Sequence, residues 1–224
     1  MSKRITVAID GPAGAGKSTL ARRIASKLGY TYVDTGAMYR AVALWALRRK
    51  VAASDMHRLE QLAKEATIEF QPGSNAVLLN GEDVSEAIRA PDIADAASEI
   101  SLIPSVRREL VRKQRAMGEQ ASVVMEGRDI GSVVFPNATV KIFLDAQLQE
   151  RTERRARESA LPADLVAQQI HERDRRDRTR NESPLVQAPD AVYVDTTGLT
   201  IDEVEAALLK LIRDRTSNGK ERTH

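Results

Sequence analysis

Eight consecutive residues, Gly11-Pro12-Ala13-Gly14-Ala15-Gly16-Lys17-Ser18, fit the pattern G-x-x-x-x-G-K-[ST] at every fixed position, and Thr19 follows. Each residue type has a chemical reason to be there. Glycines let successive backbone N–H groups converge on phosphate oxygens, and a helix beginning near Lys17 adds the positive end of its dipole. The lysine of such a loop reaches the β- and γ-phosphates of a nucleoside triphosphate, and the hydroxyl at Ser18 is suited to ligate Mg2+. The flanks agree with this reading. Arg4 to Asp10 (RITVAID) reads as a strand, and Leu20, Ile24 and Leu28 recur every four residues, the mark of a helix with one buried face.

A second set of residues suits phosphate from the acceptor side. Arg40 follows a second strand by one turn of helix, Arg128 follows a third, and Arg173, Arg176 and Arg180 lie near the end of an arginine-rich stretch. Residues 151–180 carry nine arginines, no lysine and six acidic residues. Arginine offers a planar fork matched to phosphate oxygens, whereas lysine acts as a point charge. A solvated helix laced with salt bridges is the competing reading of that stretch. In a doubly wound sheet, ligands collect beyond the carboxyl ends of the strands, which sets Arg40 and Arg128 across one crevice from the glycine loop.

The elements that must position these groups alternate strand and helix. Strands are expected at 4–10, 30–33, 122–125, 139–144 and 191–194, with helices over 17–28, 38–49, 104–120, the arginine-rich region and 200–215. Gly29 is placed to end the first helix, and Asp34-Thr35-Gly36 to turn and cap the second. Five short apolar strands separated by helices imply a parallel sheet covered on both faces. Residues 54–101 differ. After a short helix, the runs 67–70, 77–79 and 82–84 read as antiparallel strands joined by Pro72-Gly73-Ser74-Asn75 and Asn80-Gly81 turns, and Pro91 can open a helix. This is an inserted subdomain. The tail beyond Thr216 is polar and expected to fray.

Composition removes several chemistries. The 224 residues contain no cysteine, which excludes disulfides, thiolate metal sites and cysteine nucleophiles. The three histidines, His57, His171 and His224, are scattered and suggest no metal site. Aromatics are 4% of the chain, so Val, Ile, Leu and Ala must build the core. A net charge of +2 from 34 basic and 32 acidic residues is too balanced to imply nucleic-acid binding, and no stretch has the length and apolarity of a membrane span. The expectation is a cytoplasmic monomer that engages small molecules, with neither nucleic acid nor membrane as a partner.

The ordered motifs GPAGAGKST at 11–19, DTGAMYR at 34–40, ADAAS at 94–98, VRREL at 106–110, EGRDIG at 126–131 followed by VVFP, and ERDRRDRTR at 172–180 resemble the bacterial cytidylate kinases over residues 4–212. The resemblance implies a nucleoside monophosphate kinase fold. Its core would be residues 1–35, 104–149 and 181–216, its monophosphate-binding region with the insertion 36–103, and its lid 150–180. It implies transfer of a phosphoryl group from ATP, with Mg2+, to CMP or dCMP. Thr35, Tyr39, Ser98, Arg107 and Asp129 would then surround the pyrimidine. Arg40, Arg128 and Arg180 would hold the acceptor phosphate, Arg173 and Asp177 would lie near the sugar or phosphate, and Arg151, Arg154 and Arg155 would be offered to ATP. Lys17, Arg128 and Arg180 are the catalytic candidates. Thr35 and Glu126 stand where family members often carry Ser and Asp, with the functional group kept in both cases.

The base chemistry is consistent with that assignment. Cytosine presents an amine donor beside two acceptors, so a carboxylate such as Asp129 can accept from the amine while Arg107 or Ser98 donates. Uracil would leave carboxylate facing carbonyl, and mispaired buried polar groups are costly. Plainer readings coexist. Asp34 can be a helix cap, Tyr39, Met38 and Trp45 core packing, the basic residues around Arg107 a solvated face, and Arg175 and Arg178 surface partners of Asp174 and Asp177. A kinase acting on UMP or another metabolite, or a nucleotide-dependent nucleic-acid-binding protein, are the alternatives in function.

Overall fold

The computed structural model describes residues 4–71, 73–74, 76–158 and 161–217. Pro72 and Asn75 of the expected turn, His224 and the tail beyond Ser217 lie outside them. Five strands form the central sheet: β1 (Thr6–Asp10), β2 (Thr31–Asp34), β6 (Val123–Gly127), β7 (Val140–Asp145) and β8 (Val192–Asp195). They lie in the order β2-β6-β1-β7-β8, every pair parallel. The chain steps from β1 out to β2, back to β6, and then across β1 to β7. The crevice at the carboxyl end of β1 is therefore a topological switch point.

Side-chain alternation along these strands explains why both faces are covered. In β6, Val123 and Met125 join one core cluster and Val124 the other. In β1, Ala8 faces the first cluster while Val7 and Ile9 face the second. Successive strand residues point to opposite faces, and here each face meets helices. On one side α1 (Lys17–Leu28) and α8 (Ile201–Ser217) bury Leu20, Ile24, Leu208 and Ile212. On the other, α2 (Thr35–Arg48), α3 (Met56–Glu65), α4 (Pro91–Ile100) and α5 (Pro104–Gln120) supply the larger cluster. Met38 is within it and Trp45 packs at its edge under Arg49.

The insertion is a separate three-stranded antiparallel sheet of β3 (Ile68–Phe70), β4 (Val77–Leu79) and β5 (Glu82–Asp83). Leu79 pairs with Glu82 across the two-residue loop Asn80-Gly81, whose φ angles are +52° and +85°. Positive φ at both loop residues is what a hairpin turn matching strand twist requires, and Asn-Gly meets it with least strain. Two helices packed against each other, α6 (Leu148–Glu158) and α7 (Ala163–Thr179), carry the arginine-rich segment. Among the described residues, no helix is long and apolar enough to cross a membrane.

Two boundaries differ from the sequence expectation for local reasons. The helix expected from Met38 begins at Thr35, because the Asp34 carboxylate accepts the Ala37 N–H at 2.8 Å and draws Thr35 and Gly36 into the first turn. Residues Ile130–Val134, to which the sequence reading assigns no element, form one wide helical turn with five-residue closure.

Candidate active site

The glycine loop opens onto a cleft of about 750 Å³ at the carboxyl end of the sheet. Gly11 lies at its base, with φ +149°, where a Cβ would come within 1.9 Å of the Leu144 carbonyl oxygen. Only glycine fits against that backbone, so the loop starts tight on β7. Gly14 to Thr19 line the cleft, and α1 begins at Lys17 with its N-terminus turned to it. Pro12 is buried behind the loop and its carbonyl accepts from Lys17 Nζ at 2.7 Å. Burial, with Arg128 and Arg173 close by, pushes the Lys17 ammonium down to about 7, and Glu126 works against the shift.

A brace that the sequence did not reveal supports the loop from below. Arg151 donates from Nη1 to the Ala13 carbonyl at 3.0 Å and to Asp174 Oδ2 at 2.6 Å, while Asp174 Oδ1 accepts the Ala13 N–H at 3.2 Å. Arg151, expected to reach a triphosphate, is instead committed to loop backbone and a buried carboxylate. Arg154, which the resemblance offers to ATP, lines the cleft. It donates to Thr196 Oγ1 at 2.9 Å and to the Thr196 carbonyl at 2.9 Å, and pairs with Glu150. Beyond it, the half-exposed Leu199 and Ile201 form an apolar end of the cleft. Their only sequence signal is a pair of apolar side chains flanking a turn, which many surface loops share.

The opposite wall gathers arginines from three elements. Arg40 on α2, Arg128 after β6 and Arg173 on α7 all line the same cleft as the loop. Arg40 pairs with Asp34 Oδ2 at 2.9 Å, so Asp34 is both cap and partner. Arg128 Nε donates to Asp177 Oδ2 at 2.7 Å. Arg173 is half-buried among Arg128, Arg40 and Arg155, with Asp177 as the opposing carboxylate, and burial with those like charges lowers it to about 10. Burial opposes ionisation of Asp177, yet Arg128, Arg173 and Arg180 hold it below its ordinary value. Cations outnumber carboxylates on this wall, which is the electrostatic imprint of an anion.

Of the residues expected around a pyrimidine, Thr35, Arg107 and Asp129 are buried and Tyr39 packs half-buried against Arg107. Arg107 is 3% exposed, donates to Asp129 Oδ2 at 2.5 Å and lies over the Tyr39 ring at 5.6 Å. Burial pushes the Tyr39 hydroxyl up to about 12. Thr35 Oγ1 donates to the Glu126 carbonyl at 2.7 Å. Arg180 also differs from expectation. Its side chain is 4% exposed and sits behind the cleft wall, donating to the Ser183 carbonyl at 2.5 Å and lying 3.6 Å from Asp129 and 3.7 Å from Asp177. Ser98 lines the cleft, but its hydroxyl accepts from Arg176 Nη1 at 3.3 Å, so it belongs to a contact between α4 and α7.

Two further expectations change, and one residue joins the site. Arg175 pairs with Glu172 at 2.8 Å, three residues away on one helical face, because Asp174 and Asp177 turn inward to Arg151 and Arg128. Arg115, placed on a solvated face, donates to the carbonyls of Val133 and Val134 at 2.8 and 3.0 Å. Glu126 emerges as a site residue, since its carboxylate accepts from Ser18 Oγ and from Tyr32 Oη at 3.2 Å. Burial and Asp34 push Glu126 up, while Lys17, Ser18 and Arg128 oppose the shift.

The fold has solved counterparts. An uncharacterised protein from Eubacterium ventriosum superposes with a TM-score of 0.56 at 14% identity, covering 95% of this chain and 99% of that one. A gluconokinase from Sinorhizobium meliloti gives 0.51 at 14% identity, covering 99% and 100%. Sequence relatives are much nearer. A cytidylate kinase from Solibacter usitatus is 59% identical over 98% of this chain and 97% of its own length. One from Ligilactobacillus salivarius is 47% identical over 96% and 99%. The cytidylate kinase family profile matches residues 7–214. With that span matched and relatives aligned end to end, the chain belongs to the cytidylate kinase family.

Proposed function

We propose that the protein transfers the γ-phosphoryl group of ATP to the α-phosphate of CMP or dCMP, giving ADP and CDP or dCDP. The observation that carries this reading is the single cleft in which the glycine loop and Lys17 face Arg40, Arg128 and Arg173. Two phosphorylated ligands meeting end to end need dense positive charge between them, and each wall supplies one share of it. An acceptor phosphate oxygen attacks the γ-phosphorus as the bond to the β-bridging oxygen breaks, and the pair of electrons leaves with ADP. The acceptor oxygen is already anionic, so no general base is required. Positioning and charge carry the catalysis.

The adenosine end of the donor would lie toward Leu199 and Ile201, past Arg154, and the cytosine toward Asp129, Arg107 and Thr35. For the base to enter, the Arg107–Asp129 ion pair must open, and cytosine offers both partners a replacement hydrogen bond. We place the lid in α6 and α7, the core in the five-stranded sheet with α1, α5 and α8, and the acceptor arm in residues 36–103. The contact between Ser98 and Arg176 joins that arm to the lid. Closure of the lid over the triphosphate would exclude water and suppress hydrolysis.

The residues fit Mg2+. Ser18 Oγ and the Glu126 carboxylate lie together on the cleft wall and offer hard oxygen ligands. Among the described residues no cluster of three or more His, Cys, Asp or Glu side chains could cage a metal ion. A dication held through one hydroxyl, one carboxylate, water and phosphate oxygens matches the habit of Mg2+. When bound it would neutralise charge on the phosphates.

The test is an acceptor panel. CMP, dCMP, UMP and AMP are assayed side by side with ATP, and CMP and dCMP are expected to lead. Preference for UMP or AMP, or no transfer to any of them, would overturn the assignment.

A further inference from the structure

Asp10 is the last residue of β1, bonded directly to Gly11 and 5% exposed, and the hydrogen bonds of its carboxylate go to residues assigned above to neither nucleotide. Its Oδ1 accepts the Ile130 N–H at 2.8 Å and its Oδ2 accepts the Gly131 N–H at 2.7 Å. Those are the first two N–H groups of the turn Ile130–Val134, whose own cap position is Asp129. An aspartate at a cap ordinarily spends its carboxylate on such donors. Asp129 makes no side-chain capping bond and instead points to Arg107 at 2.5 Å and Arg180 at 3.6 Å. A carboxylate from another strand has taken over the capping, and Asp129 is released for the guanidinium groups.

The consequence is geometric. In the ladder between β1 and β6, Asp10 is opposite Gly127. Arg128 and Asp129 are thus the only two residues between a paired strand end and a turn capped by Asp10. Arg115 holds the far end of the same turn through Val133 and Val134. Burial pushes the Asp10 carboxyl up to about 6 even though both N–H bonds and Lys17 favour its charge, with Asp129 adding to the rise. Keeping a carboxylate there is costly, which a position needed only for packing would not require.

We propose that Asp10 is a positioning residue for the acceptor. By capping the Ile130–Val134 turn it fixes Arg128 and Asp129 relative to the glycine loop that follows it in sequence. The inference rests on the assignment of Arg128 and Asp129 to the acceptor. It separates cleanly from a general structural role. A local defect at Asp10 would reach Gly11 first and weaken the donor, whereas the capping geometry directs the loss to the acceptor.

The experiment is Asp10→Asn, which keeps size but turns an NH2 group toward one of the two N–H donors. ATP and CMP are varied separately, and thermal unfolding serves as the control for folding. The KM for CMP is expected to rise about tenfold with the KM for ATP within about twofold of the parent. Calorimetric titration of CMP in the absence of turnover should weaken by the same factor. Should the Asn variant not fold, Asp10→Ser, which retains one acceptor oxygen, must show the same asymmetry. Equal effects on both substrates, a larger effect on ATP, or no effect in either variant overturns the positioning role, provided the parent phosphorylates CMP. A parent that does not phosphorylate CMP instead overturns the acceptor assignment.

Discussion

From Gly11 to Thr19 the protein prepares a phosphate site with contiguous backbone and one lysine, whereas the facing wall uses side chains from α2, the end of β6 and α7. The first wall depends on conformation. Its Gly11 sits where a Cβ has no room, and Ala13 is gripped at both its N–H and its carbonyl. The second wall depends on charge balance. Arg128 has Asp177, Arg40 has Asp34, and Arg107 has Asp129. Removing the Lys17 side chain therefore takes away a cation facing the ligand and one bond to the Pro12 carbonyl, and leaves no charged partner hydrogen-bonded to it behind. Removing one from the arginine wall also leaves a buried partner uncompensated, so stability and activity fall together. That difference can be broken experimentally.

The largest effect is expected from Lys17→Ala. Losing the one loop cation that reaches the transferring group should lower kcat on the order of 10³-fold with little change in stability, as seen by steady-state kinetics alongside calorimetric unfolding. A large drop in stability would show that Lys17 is structural. Arg128→Ala should lower kcat/KM for CMP about 100-fold and also destabilise the fold by about 2 kcal/mol, because Asp177 loses its hydrogen-bonded partner and keeps only the longer contact to Arg180 at 3.7 Å. Adding Asp177→Asn should restore much of the stability and none of the activity. If stability does not recover, the two residues are not coupled in the way their 2.7 Å contact implies.

Asp129→Ala should cost about 2 kcal/mol, roughly 30-fold, in kcat/KM for CMP while leaving the KM for ATP unchanged. Unchanged CMP kinetics would remove Asp129 from the base site. The smallest effect is a proton. Lys17 falls from its ordinary 10.5 to about 7, so between those values the unfolded chain binds more protons than the folded one. Its contribution to stability accordingly declines as pH drops through that window. Bound polyphosphate should return the proton, so ATP binding near pH 8 should take up a fraction of a proton in the parent and none in Lys17→Met. Calorimetry in two buffers of different ionisation enthalpy measures it.

The same contrast explains what the sequence made legible. The loop could be read directly because its ligands are consecutive backbone groups, and the Asn80-Gly81 hairpin because the turn chemistry is local. The arginine wall was legible only as a set of phosphate-suited residue types, and the motifs shared with the family gave Asp129, Arg107 and Arg180 their roles. Pairings that span the chain were not visible. Asp10 caps residues 120 and 121 positions away, Asp174 meets Ala13 across 161, and Arg176 meets Ser98 across 78. In each case neither local segment names the other, and only the folded topology brings them together. Arg180 shows the converse. Its motif is plain, yet packing sets it behind the wall rather than on it.

Two walls of opposite construction should act as one site, and a bisubstrate ligand measures this directly. A molecule joining adenosine and cytidine through a continuous phosphate chain spans loop, cleft and arginine wall at once. It is expected to bind far more tightly than ATP or CMP alone, to compete with both, and to lose most of that advantage in Arg128→Ala. Affinity no better than that of the tighter single nucleotide, or competition with only one of them, would contradict a shared cleft.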